Sequence, residues 1–194
     1  MLGPRGRRSR KIPRTLAVDF VNTVACGACR AGDALGTPKE FVRWARGRLD
    51  LPSPQLSTRE LARLRSLRTA LLALFGSAVR RKAPPSGGVA RLNAASSSFI
   101  PRVVAWERGR WILRSTAEFQ SPLERIEGGV VRSATDVLVG PDLSKLRRCK
   151  GPGCAHFILA RTRTQIWCSS SGCGNRARVS RHYWRERAAS SVHR

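Results

Sequence analysis

The sequence predicts an α+β protein: an α-rich N-terminal domain with a β-hairpin, followed by a small four-cysteine β-hairpin and a C-terminal helix. Three observations predict it. Apolar residues recur at spacings of three and four from Leu61 to Phe75, the period of a helix. Two β-prone runs, 102–106 and 111–115, flank a turn-forming Glu-Arg-Gly-Arg. Four of the six cysteines crowd into residues 149–173 as two evenly spaced pairs. A length of 194 residues suits one large domain or a medium domain with a small appendage, and 41% hydrophobic residues can build a core.

Residues 1–14 read as a basic flexible arm, with Arg5, Arg7, Arg8, Arg10 and Lys11 set among Gly and Pro breakers. Residues 16–24 are apolar, too short and mixed to assign to helix or strand. A Gly/Cys/Ala loop runs to Gly36 and holds Cys26-Gly-Ala-Cys29. Thr37-Pro38-Lys39-Glu40 combines a capping threonine, a proline at the first helical position and a glutamate at the third. The helix it opens should end near Leu49, with Phe41, Val42, Trp44 and Ala45 inward. Ser57-Thr-Arg-Glu60 is a second capping box. The helix behind it carries Leu61, Leu64, Leu67, Leu71, Leu74 and Phe75 in one stripe, with Arg59, Arg63, Arg65 and Arg68 read as a solvated flank. Residues 83–88 read as a linker and 89–97 as a short helix. After the hairpin, Pro122 opens a helix to Val139, and Gly140-Pro141-Asp142 closes the first domain. The chain thus divides into an arm (1–14), a domain (15–140) and a cysteine module (141–194).

The formal net charge is +25, from 37 Lys+Arg against 12 Asp+Glu. Arginine accounts for 32 of the 37, a skew that a G/C-rich genome would spread evenly. The distribution is uneven. Residues 1–15 carry 6 basic and no acidic residues, 16–140 carry 19 and 10, and 141–194 carry 12 and 2. Both ends are therefore candidate polyanion-binding surfaces. No run approaches the ~20 apolar residues of a membrane span, and no apolar h-region follows the basic start. A soluble, cytoplasmic protein without a membrane partner is expected. No phosphate-binding Gly-rich loop or nucleophile elbow occurs, and His182 and His193 lack paired carboxylates, so no enzyme is expected.

Cys149-x4-Cys154, thirteen residues, then Cys168-x4-Cys173 is a pattern that suits one structural zinc ion. Each pair can sit on a tight turn with both sulfurs inward, and a hairpin between 156–160 and 165–167 would bring the pairs together. Four cysteines close the shell, leaving no open position for catalysis and no need for His156. Disulfides fit poorly without a secretory signal. Beyond Cys173, no breaker follows Gly174, so the chain can continue as a helix carrying Arg176, Arg178, Arg181, Arg185 and Arg187. Arg178, Arg181 and Arg185 share one face, while Val179, Tyr183, His182 and Trp184 are read as packing on the zinc module. Arginines so presented reach phosphates and guanine edges.

Leu146-Arg-Arg-Cys149, Cys154, Trp167-Cys168-Ser169 and Cys173-Gly174-Asn175-Arg176 resemble the CGNR zinc-finger family. Residues 16–23, Leu-Ala-Val-Asp-Phe-Val-Asn-Thr, and the apolar helix at 61–75 resemble the ABATE domain, the N-terminal partner of that finger in stress-induced transcription regulators. The resemblance implies zinc on Cys149, Cys154, Cys168 and Cys173 and a role in DNA binding. Ala160 and Thr164 depart from the Asp and Asn usual in the family's hairpin.

The expected function is a zinc-dependent DNA-binding transcription regulator, nucleoid-associated when bound, whose first domain senses a ligand or forms a homodimer. Asp19 and Asn22, at i and i+3, are candidate pocket residues, although capping or a buried hydrogen bond explains them equally. Cys26 and Cys29 read as incidental loop cysteines that lack partners for a second zinc site, with thiol redox sensing as the competing role. A second competitor is an RNA-binding module that stacks single strands on Tyr183 or Trp184.

Overall fold

The structure, a computed structural model, describes residues 15–29, 32–49, 54–96, 102–107, 110–115 and 121–192. The basic arm, residue 97 of the expected short helix and part of the hairpin turn lie outside the described residues. Helix α1 (Leu16–Val21) buries Leu16, Ala17, Val18, Phe20 and Val21. A helix buried almost all round carries no amphipathic period, which is why its sequence did not declare itself.

Helix α2 (Pro38–Ala45) starts at Thr37, whose side chain accepts the Glu40 N–H, and stops four residues before the expected end. Gly47 then takes a left-handed φ of 76°, which turns the chain out of the helix. Helix α3 (Thr58–Val79) carries both halves of the Ser57–Glu60 capping box and buries its full leucine stripe. Helix α4 (Ser86–Ser96) begins inside the expected linker, and Gly88 lies against Leu74. Strands β1 (Arg102–Glu107) and β2 (Arg110–Ser115) form the expected antiparallel hairpin, with Trp106 opposite Trp111. Helix α5 (Pro122–Val139) is capped by Ser121 and has the expected span.

The core sits where α1, α3 and α5 meet, around Phe20, Leu64, Leu67, Leu71 and Val130. The arginine flank of α3 is not merely solvated. Arg68 is buried and forks onto both carboxylate oxygens of Asp33 at 2.6 and 2.7 Å, while also donating to Thr23 Oγ1 at 3.0 Å. Arg65 donates to the Leu35 carbonyl, and Arg63 meets buried Glu127, which Arg91 also reaches. Three of the four flanking arginines therefore tie α3 to its neighbours.

The cysteine module differs from its expected hairpin. Strand β3 (Leu146–Arg148) pairs antiparallel with β4 (Phe157–Leu159), and residues 165–167 form no strand. That third segment lies beside the first cysteine turn, where the Lys150 N–H donates to the Ile166 carbonyl. Packing explains the choice. Leu146 and Phe157 are apolar residues that join the main core, with Phe157 edge-to-face against Phe75 at 5.9 Å. Helix α6 (Asn175–Val192) follows a wide helical turn at Ser170–Gly174.

Candidate metal centre and nucleic-acid interface

The first cysteine turn is built by glycine. A Cβ on Gly151 would lie 2.8 Å from Cys173 Sγ, so only glycine lets the turn close on the second pair. Gly153 holds a left-handed φ of 64°, and the Cys154 N–H returns to the Gly151 carbonyl at 3.0 Å. The second turn is set by Ser169, whose hydroxyl accepts the Gly172 N–H and whose carbonyl accepts the Gly174 N–H.

These turns bring the sulfurs of Cys149, Cys154, Cys168 and Cys173 within 4.8 Å of one another. Cys154 and Cys168 stand 3.9 Å apart, Cys168 and Cys173 3.4 Å. Zn–S bonds of about 2.3 Å place tetrahedral sulfurs about 3.8 Å apart, so the set fits one zinc ion. Backbone N–H groups of Gly151 and Cys168 both point at Cys149 Sγ, a contact suited to a thiolate. Burial pushes the Cys154 and Cys168 thiols far above their ordinary range, and neighbouring sulfurs add to it. Burial acts the same way on Cys173, but hydrogen bonds from the other cysteines outweigh it and leave its thiol lowered. A divalent cation held by these four residues would let the crowded thiols ionise together and would tie the two turns to each other.

Two expectations are corrected around this cluster. Cys26 and Cys29 are not isolated: Cys29 Sγ lies 3.5 Å from Cys154 Sγ and 3.9 Å from Cys173 Sγ, and Cys26 Sγ is 2.9 Å from Cys29 Sγ. His156 also belongs here, with Nδ1 3.9 Å from Cys29 Sγ and burial holding its imidazole below the ordinary pKa. The repeated cysteine pair in the sequence was the available signal. The pair lies more than 100 residues from the others in sequence, so only tertiary packing shows that it meets them.

Asn22 serves the same interface. Its amide donates to the Phe157 carbonyl and its oxygen accepts the Phe157 N–H, both at 2.8 Å. Asp19 and Asn22 do line a groove of about 620 Å³ between α1 and the zinc module, with Arg161, Gln165 and Trp167 on its far side. Burial raises the Asp19 carboxyl above its usual value, against the lowering influence of Arg48 and Thr15.

The arginines of α6 divide into two groups. Arg176 turns inward and donates to Cys173 Sγ at 3.0 Å. Arg178, Arg181, Arg185 and Arg187 are exposed, as are Val179, Tyr183 and Trp184, which do not pack on the zinc module as expected. Ala177 is the last buried residue among the described side chains of the helix, and His182 is 77% exposed beside Glu186. The Arg187 guanidinium lies over the Tyr183 ring at 5.5 Å.

No described helix is long and apolar enough to cross a membrane. A search of curated proteins finds no match. Residues 145–186 match the model of the CGNR zinc finger, and residues 14–141 match that of ABATE, described as a "putative stress-induced transcription regulator". With more than half of its length matched by the second model, the chain belongs to the ABATE family and carries a CGNR zinc finger after that domain.

Proposed function

We propose that the protein is a transcription regulator that binds duplex DNA through α6, with one zinc ion on Cys149, Cys154, Cys168 and Cys173 fixing that helix to the body. The observation that carries this reading is a basic helix rooted directly on the metal cluster and exposed from Arg178 to Arg187. Arg178, Arg181, Arg185 and Arg187 then meet phosphates and base edges, while Arg176 stays with the sulfurs. An 18-residue helix is about 27 Å long, enough to lie along most of a turn of the major groove. Genomic-fragment selection with zinc-loaded protein at two salt concentrations tests the reading. Enrichment of a shared sequence supports a specific regulator; steep salt dependence without enrichment reduces it to non-specific binding.

Exposure of Tyr183 and Trp184 side by side, at a ring separation of 5.6 Å, favours one competing reading: stacking of unpaired bases in RNA. Competition between duplex DNA and single-stranded RNA separates the two, since a single-strand preference abolished by Trp184→Ala would select the RNA reading.

A further inference from the structure

The four zinc-finger cysteines leave three metal-binding side chains against the same cluster unexplained: Cys26, Cys29 and His156. Cys29 Sγ, Cys154 Sγ, Cys168 Sγ and a ring nitrogen of His156 lie within 4.8 Å of one another, a second ligand set that overlaps the first at two sulfurs. Cys29 stands at 3.5 Å from Cys154, close to the edge of a zinc–sulfur tetrahedron. Cys26 is nearer still to Cys29, at 2.9 Å, and completes a Cys-x2-Cys pair beside Cys154. Among the described residues, His156 Nε2 is buried without a hydrogen-bond partner, and Nδ1 has Cys29 Sγ as a neighbour at 3.9 Å. The ring therefore turns Nδ1 toward the sulfurs, the orientation in which a half-buried neutral imidazole can serve as a metal ligand.

From these positions we infer a second zinc ion, held by Cys26, Cys29 and His156 with Cys154 bridging to the first. The set offers soft thiolates and one imidazole at tetrahedral number, the donor chemistry that zinc takes in structural sites. Cys26 and Cys29 bind as thiolates, and their two protons leave to solvent. Six thiolates outweigh the charge of two divalent cations, and Arg176 faces that excess, at 3.0 Å from Cys173 Sγ and 3.9 Å from Cys29 Sγ. The arrangement makes the loop after α1 part of the metal centre, so the ABATE portion and the finger are cross-linked by metal as well as by packing. The inference rests on the four-cysteine zinc site but not on DNA binding.

Metal content of the full chain decides it. Protein purified reduced, loaded with excess zinc and desalted should hold two zinc ions per chain by inductively coupled plasma mass spectrometry. The Cys26→Ser/Cys29→Ser variant should hold one, with unchanged circular dichroism. In the cobalt-substituted wild type, the Cys154 bridge should couple the two ions magnetically, lowering the moment below that of two independent centres. One zinc per wild-type chain overturns the second site and leaves the first intact; iodoacetamide labelling of Cys29, the more exposed of the pair, in that loaded protein would accompany it. Two zinc ions in both wild type and variant place the second ion elsewhere and also overturn it. No zinc at all removes both sites. Should the double variant not fold, wild-type stoichiometry and labelling still decide the question.

Discussion

Asn22, Arg68 and Asp33 show how much single polar side chains contribute to holding this fold. Asn22 satisfies both backbone groups of Phe157 across 135 residues of sequence. Replacing it with alanine leaves an N–H and a C=O without their partners, at about 1–3 kcal/mol. Denaturant unfolding of Asn22→Ala should show that loss, and hydrogen exchange should show faster exchange at Phe157. Hydrogen bonds from Arg68 hold the Asp33 carboxyl below its ordinary value, against a smaller opposing effect of burial. A carboxylate with a lower pKa in the folded state stabilises fully above its unfolded value of about 3.9 and loses that contribution as pH falls through the folded value. Stability of the wild type should therefore drop below about pH 4. Asp33→Asn should be less stable at neutral pH by about 3 kcal/mol, because Arg68 is left buried without its counter-charge, and its acid limb should be flatter. Unfolding midpoints across pH 2–7 (a range set by the carboxylate pKa near 4) measure both.

Among the elements, those with local instructions were legible. Thr37, Ser57 and Ser121 each accept the N–H three residues on, and α2, α3 and α5 begin where these caps stand. The cysteine spacing identified the four sulfurs that meet. What was illegible depends on contacts distant in sequence. Helix α1 lacks a polar face, β4 chooses β3 because Phe157 seeks Phe75, and Arg176 turns inward because sulfur lies three residues behind it. Cys26 and Cys29 carried a visible motif with an invisible neighbour. At this scale the first cysteine turn is the most fragile part. Gly151→Ala forces a methyl group to 2.8 Å from Cys173 Sγ and should cost about 1–3 kcal/mol of metal affinity, read by competition with a chromogenic chelator. On α6, removing Arg178, Arg181, Arg185 and Arg187 one at a time should lower the salt slope of DNA affinity by about 0.9 for each that meets a phosphate. Arg176→Ala should instead alter metal retention, since its guanidinium rests on Cys173.

For the whole molecule, the finger shares its core with the first domain and should not melt alone. Leu146 and Phe157 sit in the same core as Phe20 and Leu67, so metal and core stabilise one cooperative unit. Chelation should lower the melting temperature of the entire chain in a single calorimetric transition; a separate low-temperature transition would show an independent module. The clasp at Asn22 has a consequence beyond the molecule itself. Its carboxamide offers Phe157 one donor and one acceptor, as a neighbouring strand would, on a sheet of only two strands. The side chain thus acts as a one-residue substitute strand that keeps β4 from recruiting another chain. A protein without it should be sticky before it is unfolded, associating through an opened sheet edge more readily than the native chain does.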